Sequence, residues 1–242
     1  MTGAGSLPDA QAIMAAIRAT WPPSRLDRVG PFDLPAEREG TRRGTAARPV
    51  PGAAVADADI AAVEAARPGT VFAAIIEDDR ALEGVLAARG YAPSDPSDLM
   101  AGPIPDSLPD TPPVSGFPHW PPMAICDALW DEHGNGPERR TPMHRAPEPK
   151  TAILLRFDDR AAGALFVGLS GTVAVCHLVL TLPRARGKGV GRIGMIHAMH
   201  WARENGADTM ALPVEANNVP AVALYKRAGL VRRGGYRYWS RT

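Results

Sequence analysis

Cysteine is nearly absent from this chain of 242 residues: only Cys126 and Cys176 occur, far apart and without metal-ligand spacing. A disulfide framework is thereby excluded, and both read as reduced, buried thiols of a cytosolic protein. Aromatic residues amount to 6%, and no apolar run reaches the ~18 residues of a membrane helix, so no membrane span is expected. The opening MTGAGSLPDAQ lacks a basic flank followed by an apolar stretch and does not read as a signal peptide. Charge of one sign is missing too. Lys and Arg number 27 against 26 Asp and Glu, which excludes wholesale affinity for nucleic acid or a membrane and leaves only local basic patches. The expected compartment is the cytoplasm.

Chain-breaking residues are plentiful, with 25 Pro and 24 Gly, beside an ordinary globular content of 45% hydrophobic and 22% charged residues. The length accommodates one large domain or two small ones. Residues 28–53 read as short strands and turns. Over 92–122 proline recurs so often that one short strand, 98–104, is expected, and 105–122 reads as a linker. Domains are therefore expected over 1–104 and 123–242.

Periodicity and stop signals predict helices over 10–20, 58–66 and 80–89, with a strand over 70–76, before the linker. Beyond it, helices are expected over 123–131 and 137–144, then three strands, 151–157, 163–170 and 172–182, as an antiparallel meander. A helix over 191–205 ends at Gly206; a strand over 209–214, a helix over 219–227 closed by Gly229, and a strand over 236–240 complete the chain. TVFAAIIEDDRALEGVLAARGY overlays TMALPVEANNVPAVALYKRAGL without a gap at an offset of 139 (229 − 90), which places Asp79 on Asn218 and Leu86 on Tyr225. A second echo, TWPPSR and HWPPMA, has an offset of 99 (120 − 21). The overlay predicts a duplication whose first copy lacks the glycine loop described next.

That loop, in LTLPRARGKGVGRIG, can be framed in two ways. Gly189, Gly191 and Gly194 fit the dinucleotide pattern G-x-G-x-x-G, with Glu215 at about the distance of the ribose-binding acid. Residues 183–188, however, separate the preceding strand from Gly189, and too few elements remain for a dinucleotide fold. An ATP loop needs a hydroxyl after the lysine, and Gly189 follows Lys188. The frame from Arg186 to Gly191 reads R-x-x-G-x-G, a strand, a basic loop and a helix start. Backbone amides and the helix end would hold a pyrophosphate, with Arg184, Arg186, Lys188 and Arg192 as countercharge and Gly194 left to ease helix packing.

This loop resembles the pyrophosphate loop of the GNAT superfamily of acetyl-CoA-dependent N-acyltransferases. The likeness continues at the family's spacing through the strand TMALPV, through N-x-x-A-x-x-L-Y at Asn218, Ala221, Leu224 and Tyr225, and to Gly229-Leu230. It covers roughly residues 151–242 and implies an α/β (α+β) acyl-CoA-binding fold, a mixed, mostly antiparallel sheet flanked by helices. The first half would then be a smaller, degenerate GNAT-like module.

The resemblance implies acetyl transfer from acetyl-CoA to a primary amine by direct attack on the thioester. Backbone groups of Val179, Leu180 and Thr181 would meet the pantetheine and the thioester oxygen. Amides of Arg186, Gly187, Lys188, Gly189, Val190 and Gly191, with Arg192, would take the pyrophosphate; Asn218 and Tyr225 would flank the pantetheine. Tyr225 matches the family's general acid, since a phenol can protonate a departing thiolate without itself being ionised. The family's usual Glu on the strand before the loop is missing. His177 is the candidate base there, placed by period-2 alternation on one face with Val175, Val179 and Thr181; Glu215 is the reserve and a water chain the third option. His197 and His200, spaced i, i+3, read as ordinary helix positions; neither His133 nor His144 joins them, and no metal is expected. The acceptor, a small-molecule or protein amine, is expected in a cleft between the halves, where Trp120 and Trp130 serve either to shape the cleft or to pack the linker, in a monomer or homodimer with no nucleic-acid or membrane partner. A non-catalytic acyl-CoA-binding regulator of the same fold is the alternative.

Overall fold

The computed structural model describes residues 6–37 and 40–241; residues 1–5, on which the signal-peptide reading partly rests, lie outside it. The first half contains α1 (Ala10–Thr20), β1 (Leu26–Val29), β2 (Phe32–Pro35), α2 (Arg42–Thr45), β3 (Arg48–Pro49) and α3 (Asp57–Ala66). It continues with β4 (Phe72–Ile75), α4 (Arg80–Ala88) and β5 (Ala92–Pro103). The second half contains β6 (Gly116–His119), α5 (Ala124–Glu132), α6 (Pro137–Arg145), β7 (Lys150–Phe157), β8 (Arg160–Ser170) and β9 (Val173–Thr181). A 3-10 turn (Pro183–Ala185) leads into α7 (Val190–Glu204), β10 (Thr209–Glu215), α8 (Val219–Arg227) and β11 (Val231–Ser240).

Eight strands form one sheet in the order β4-β11-β5-β10-β9-β8-β7-β6, and β1-β2-β3 form a small second sheet. Within the large sheet only β9 and β10 are parallel. Helix α7 packs on one face through Met195, Ala198, Met199 and Ala202, above Leu155, Leu165, Cys176 and Met210. Helix α1 covers the other face through Ile13 and Ile17, against Leu99, Val175 and Ala211. The mixed, mostly antiparallel sheet with helices on both faces is the expected class, and the meander β7-β8-β9 forms.

Two expectations for the proline-rich stretch need correction. The strand expected over 98–104 runs from Ala92 to Pro103, and the presumed linker contains β6. Proline survives in β5 because the strand is bulged: Ser94 and Ser97 face Tyr238 and Tyr236, so Asp95 and Pro96 oppose a single residue, with Asp95 at φ +49. Pro118 is accommodated because β6 is the edge strand.

The internal overlay also needs a correction. At an offset of 139, α4 falls on α8 end to end (219 − 80), and the starts of β5 and β11 coincide (231 − 92). Pairing in β5 and β11 is nearly symmetric about Ser97 and Tyr236. The strands before the helices are offset by 140, however: Phe72 sits opposite Trp239 as Leu212 sits opposite Met100 (212 − 72). A one-residue difference in the turn to the helix absorbs the slip, which a gapless overlay cannot register. The TWPP echo joins unlike surroundings, since Trp21 follows α1 while Trp120 precedes α5.

Gly163 shows how tightly β8 and β9 approach. A Cβ added there would fall inside the Leu180 carbonyl oxygen, a backbone atom with little freedom to retreat. Gly163→Ala is therefore expected to lower the free energy of unfolding by about 1–3 kcal/mol, read from the urea midpoint. An unchanged midpoint would show that the two strands separate freely.

Candidate active site

Strands β9 and β10 pair only at Val173, Ala174 and Val175 with Thr209, Met210 and Ala211. Beyond that, β9 runs on to Thr181 and β10 to Glu215 without pairing to each other, so the sheet opens into a wedge. Backbone donors and acceptors along that wedge are left for a ligand or water. The opening coincides with a bulge. Phe166 faces His177 and Ala164 faces Leu180, so Leu178 and Val179 together oppose Leu165, and Leu178 has φ +51. A branched residue at positive φ is strained, and the conformation is anchored from the other face, where the fully buried Trp130 donates its Nε1–H to the Leu178 carbonyl at 3.0 Å.

The bulge overturns the expected alternation. His177 lies with Val175 and Leu180 on the α1 face, whereas Val179 packs with the α7 core and Thr181 lies beside Gly191 of α7. A period of two cannot cross an inserted residue.

The glycine loop is built as the Arg186 frame requires. Gly187 and Gly189 have φ +73 and +82, and Gly189 caps α7 in the left-handed conformation. The bond from Ile193 N–H to the Gly189 carbonyl opens the helix, which leaves the amides of Val190, Gly191 and Arg192 as its unpaired first-turn donors. Arg184, Arg186, Lys188 and Arg192 are all exposed around it. Arg186 Nε donates to the Thr181 carbonyl at 3.3 Å and Arg184 to that of Ala161, while the Lys188 ammonium lies 5.5 Å from the centre of the Phe157 ring. A side chain at Gly191 would press on Leu224 of α8, and one at Gly194 on Leu155 and Leu165; these glycines serve close packing.

Tyr225 projects from α8 into the α7-side core, 6% exposed, beside Cys176. Burial, aided by Cys176, raises its pKa, so the phenol keeps its proton at neutral pH. Asn218 caps α8, its Oδ1 accepting from Ala221 N–H at 3.2 Å. Its overlay counterpart Asp79 accepts from Ile75 N–H at 2.7 Å before α4. Glu215 ends β10, exposed, on the same face as Ala211 and thus as His177. Tyr225 and His177 consequently lie on opposite faces of the sheet, with the wedge as the passage between them.

His177 is 3% exposed and fully engaged. Its ring stacks on Trp21 at 4.8 Å; Nε2 is 2.8 Å from Thr20 Oγ1 and Nδ1 is 3.2 Å from Arg43 Nη1. A guanidinium only donates, so Nδ1 accepts, Nε2–H donates to Thr20, and the Thr20 hydroxyl passes on to the Ala16 carbonyl at 2.8 Å. Burial first, and Arg43 second, hold its pKa well below the usual value. Sequence reasoning missed Thr20, Trp21 and Arg43, which come from another part of the chain; the only local signal was a basic pair inside a turn.

His197 reaches Ser115 Oγ (3.0 Å) and His200 the Pro109 carbonyl (3.1 Å). Among the described residues no group of three His, Cys, Asp or Glu side chains could hold a metal ion, and no helix is long and apolar enough to cross a membrane. Cys126 and Cys176 are buried and unbridged, their thiol pKa values pushed up by burial to about 11 and about 12. A cleft with about 940 Å³ of open space lies between Glu37, Thr41 and Gly44 of the first half and Glu138, Arg139 and Arg145 of the second.

The site is thus a mixed sheet wedged open beside a glycine loop at a helix start. Residues 122–230 match the acetyltransferase (GNAT) family, and the chain carries a domain of that family there. Over 47 residues, 19% of the chain, it is 49% identical to streptothricin acetyltransferase of Streptomyces lavendulae. The chain spans only 17% to 27% of the length of the curated relatives it matches. Among solved structures it resembles a GCN5-related N-acetyltransferase from Kribbella flavida, with TM-score 0.71, 21% identity, and 95% and 94% of the two chains covered. A tandem GNAT protein from the clavulanic acid biosynthesis pathway superposes with TM-score 0.62, 15% identity, and 98% and 89% covered. At these identities the two structures speak to the fold.

Proposed function

We propose that the protein is an acetyl-CoA-dependent N-acetyltransferase acting on a primary amine. The observation that carries this reading is the conjunction of the loop amides of residues 187–192 with the wedge between β9 and β10. The loop takes the pyrophosphate, the wedge edge takes the pantetheine through Val179, Leu180 and Thr181, and Asn218 borders it from the start of α8. The amine nitrogen bonds to the thioester carbonyl carbon, the C–S bond breaks, and the leaving sulfur takes the Tyr225 hydroxyl proton. The surplus proton of the amine leaves through Glu215 or water at the open strand ends, and one proton taken back from solvent restores the Tyr225 phenol, so that the net change is amine plus thioester to amide plus thiol. His177, with both ring nitrogens engaged, serves this reaction by fixing Arg43.

The first half is a degenerate second copy of the GNAT fold in this reading. The near-symmetric β5/β11 pair and the matched α4 and α8 support it. The cleft between the halves receives the acceptor.

A thermal-shift comparison tests the proposal. At 100 times its Kd a ligand adds about 2.7 kcal/mol, so acetyl-CoA should raise Tm by roughly 5–10 °C, whereas NADH should not. Greater protection by NADH would return the loop to the dinucleotide frame. The missing carboxylate on β9 favours one further reading, a regulator that binds acyl-CoA without turnover. Thiol release with any member of an amine panel excludes it.

A further inference from the structure

Helix α2 and strand β3 bring two arginines to the α1 face of the sheet and leave both without a counter-ion. Arg48 is 7% exposed; it contacts Met14 Sδ, donates to the Arg43 carbonyl at 3.3 Å, and lies 5.9 Å from the centre of the Tyr236 ring. Arg43 meets His177 Nδ1 and sits 5.9 Å from the centre of the Trp21 ring, and its Nε–H is buried without a partner. Trp21, 5% exposed, likewise buries an Nε1–H that nothing accepts. Among the described residues no carboxylate lies within ion-pair distance of either arginine. The acid nearest at hand, Asp33, is already taken by Arg18 at 2.7 Å and Arg28 at 2.8 Å.

Trp21, Arg43 and Arg48 line a common cleft together with the Arg18–Asp33 ion pair, bordered by Pro23, Leu26 and Pro35, with about 280 Å³ of empty space including its open mouth. The Asp33 oxygens are taken up by Arg18 and Arg28, so the buried polar groups left unpartnered there are donors, the Arg43 Nε–H and the Trp21 indole N–H. Arg48 is a buried cation without a counter-ion, and half-buried Arg43 stands beside it with an unpartnered Nε–H, so an entering anion would offset the cost of both. A planar fork matches a carboxylate, and the cleft is too small for a large polyanion. Through Arg43 the cluster reaches His177, the residue before the bulge at the mouth of the wedge.

We propose that Arg43, Arg48 and Trp21 form a carboxylate subsite for the acetyl acceptor, which is therefore an amino acid or another amine bearing a carboxylate. This rests on the acetyltransferase reading. The first half of the chain then supplies acceptor selectivity, and the second the acyl donor site.

Thiol release is measured with paired acceptors, from glycine and glycinamide to 4-aminobutanoate and its amide. At least one carboxylate should exceed its amide in kcat/KM by about 30-fold, the size expected of a charge-assisted contact. Arg43→Gln and, separately, Arg48→Gln should bring that ratio close to one, and Arg43→Lys should restore part of it. A ratio near one in the unaltered protein, or one unchanged in both Gln variants, overturns the subsite. Independently of turnover, formate should raise Tm of the full chain above chloride at equal ionic strength, and Arg43→Gln should abolish the gain. Stronger protection by inorganic phosphate overturns the carboxylate assignment. Formate protection lost in Arg43→Gln, with no amine acetylated, instead overturns the transferase reading and the acceptor role with it.

Discussion

Tyr225→Phe is expected to lower kcat for thiol release at pH 7 by about 10²–10⁴-fold, the range of a lost general acid. The substitution removes one oxygen and keeps the ring that packs in the α7-side core. No hydrogen bond to the Tyr225 hydroxyl is formed among the described residues, so the urea midpoint should move little. Burial raises the phenol's pKa, which keeps the acid form populated through neutral and mildly alkaline pH. The KM for acetyl-CoA should change much less than kcat, because the loop and the wedge, not the hydroxyl, hold the donor. A fall below about 5-fold would mean that the thiolate leaves unaided and would remove Tyr225 from the chemistry.

The parts of this site legible in the sequence are those whose chemistry is local. Glycines at positive φ, a basic loop and a helix start lie within a dozen residues, and Asn218 and Tyr225 share one helix with its cap. The helices α1, α4, α7 and α8 followed from periodicity and stop signals to within a residue or two. What stayed hidden depends on contacts remote in sequence. The β9 bulge has no marker in TVAVCHLVLTLP; it exists because Leu165 faces two residues and because Trp130 holds the Leu178 carbonyl. An unbroken period of two would put His177 on one face with Val179 and Thr181. The length of β5 was hidden for the opposite reason: proline forbids a regular ladder but tolerates a bulged one. That β5 inserts between β10 and β11, joining the halves in one sheet, is a topological fact that no local pattern encodes.

His177→Gln separates the buried, structural imidazole from a catalytic base. In the unfolded chain the imidazole binds a proton near pH 6.5, whereas in the folded protein burial and Arg43 resist protonation. Below that pH the unfolded state binds more protons, so stability falls with falling pH; above it the depressed pKa costs nothing. The slope contributed by His177 on the acid side approaches about 1.4 kcal/mol per pH unit where the unfolded imidazole is protonated and the native ring is not. His197, shifted in the same direction by partial burial and by His200, adds a smaller acid-side loss that remains in the variant. Urea titrations from pH 8 to 4.5 should therefore show a shallower fall for His177→Gln than for the unaltered protein. At pH 8 the variant should be less stable by about 1–3 kcal/mol, because Thr20 and Arg43 lose a buried partner. Equal slopes in the two proteins would mean that His177 protonates freely in the fold. If it were the base, turnover of the folded variant at pH 8 would collapse as far as that of Tyr225→Phe. With the proton leaving through Glu215 or water, kcat at pH 8 should fall by less than about 10-fold, a loss well short of a missing general base.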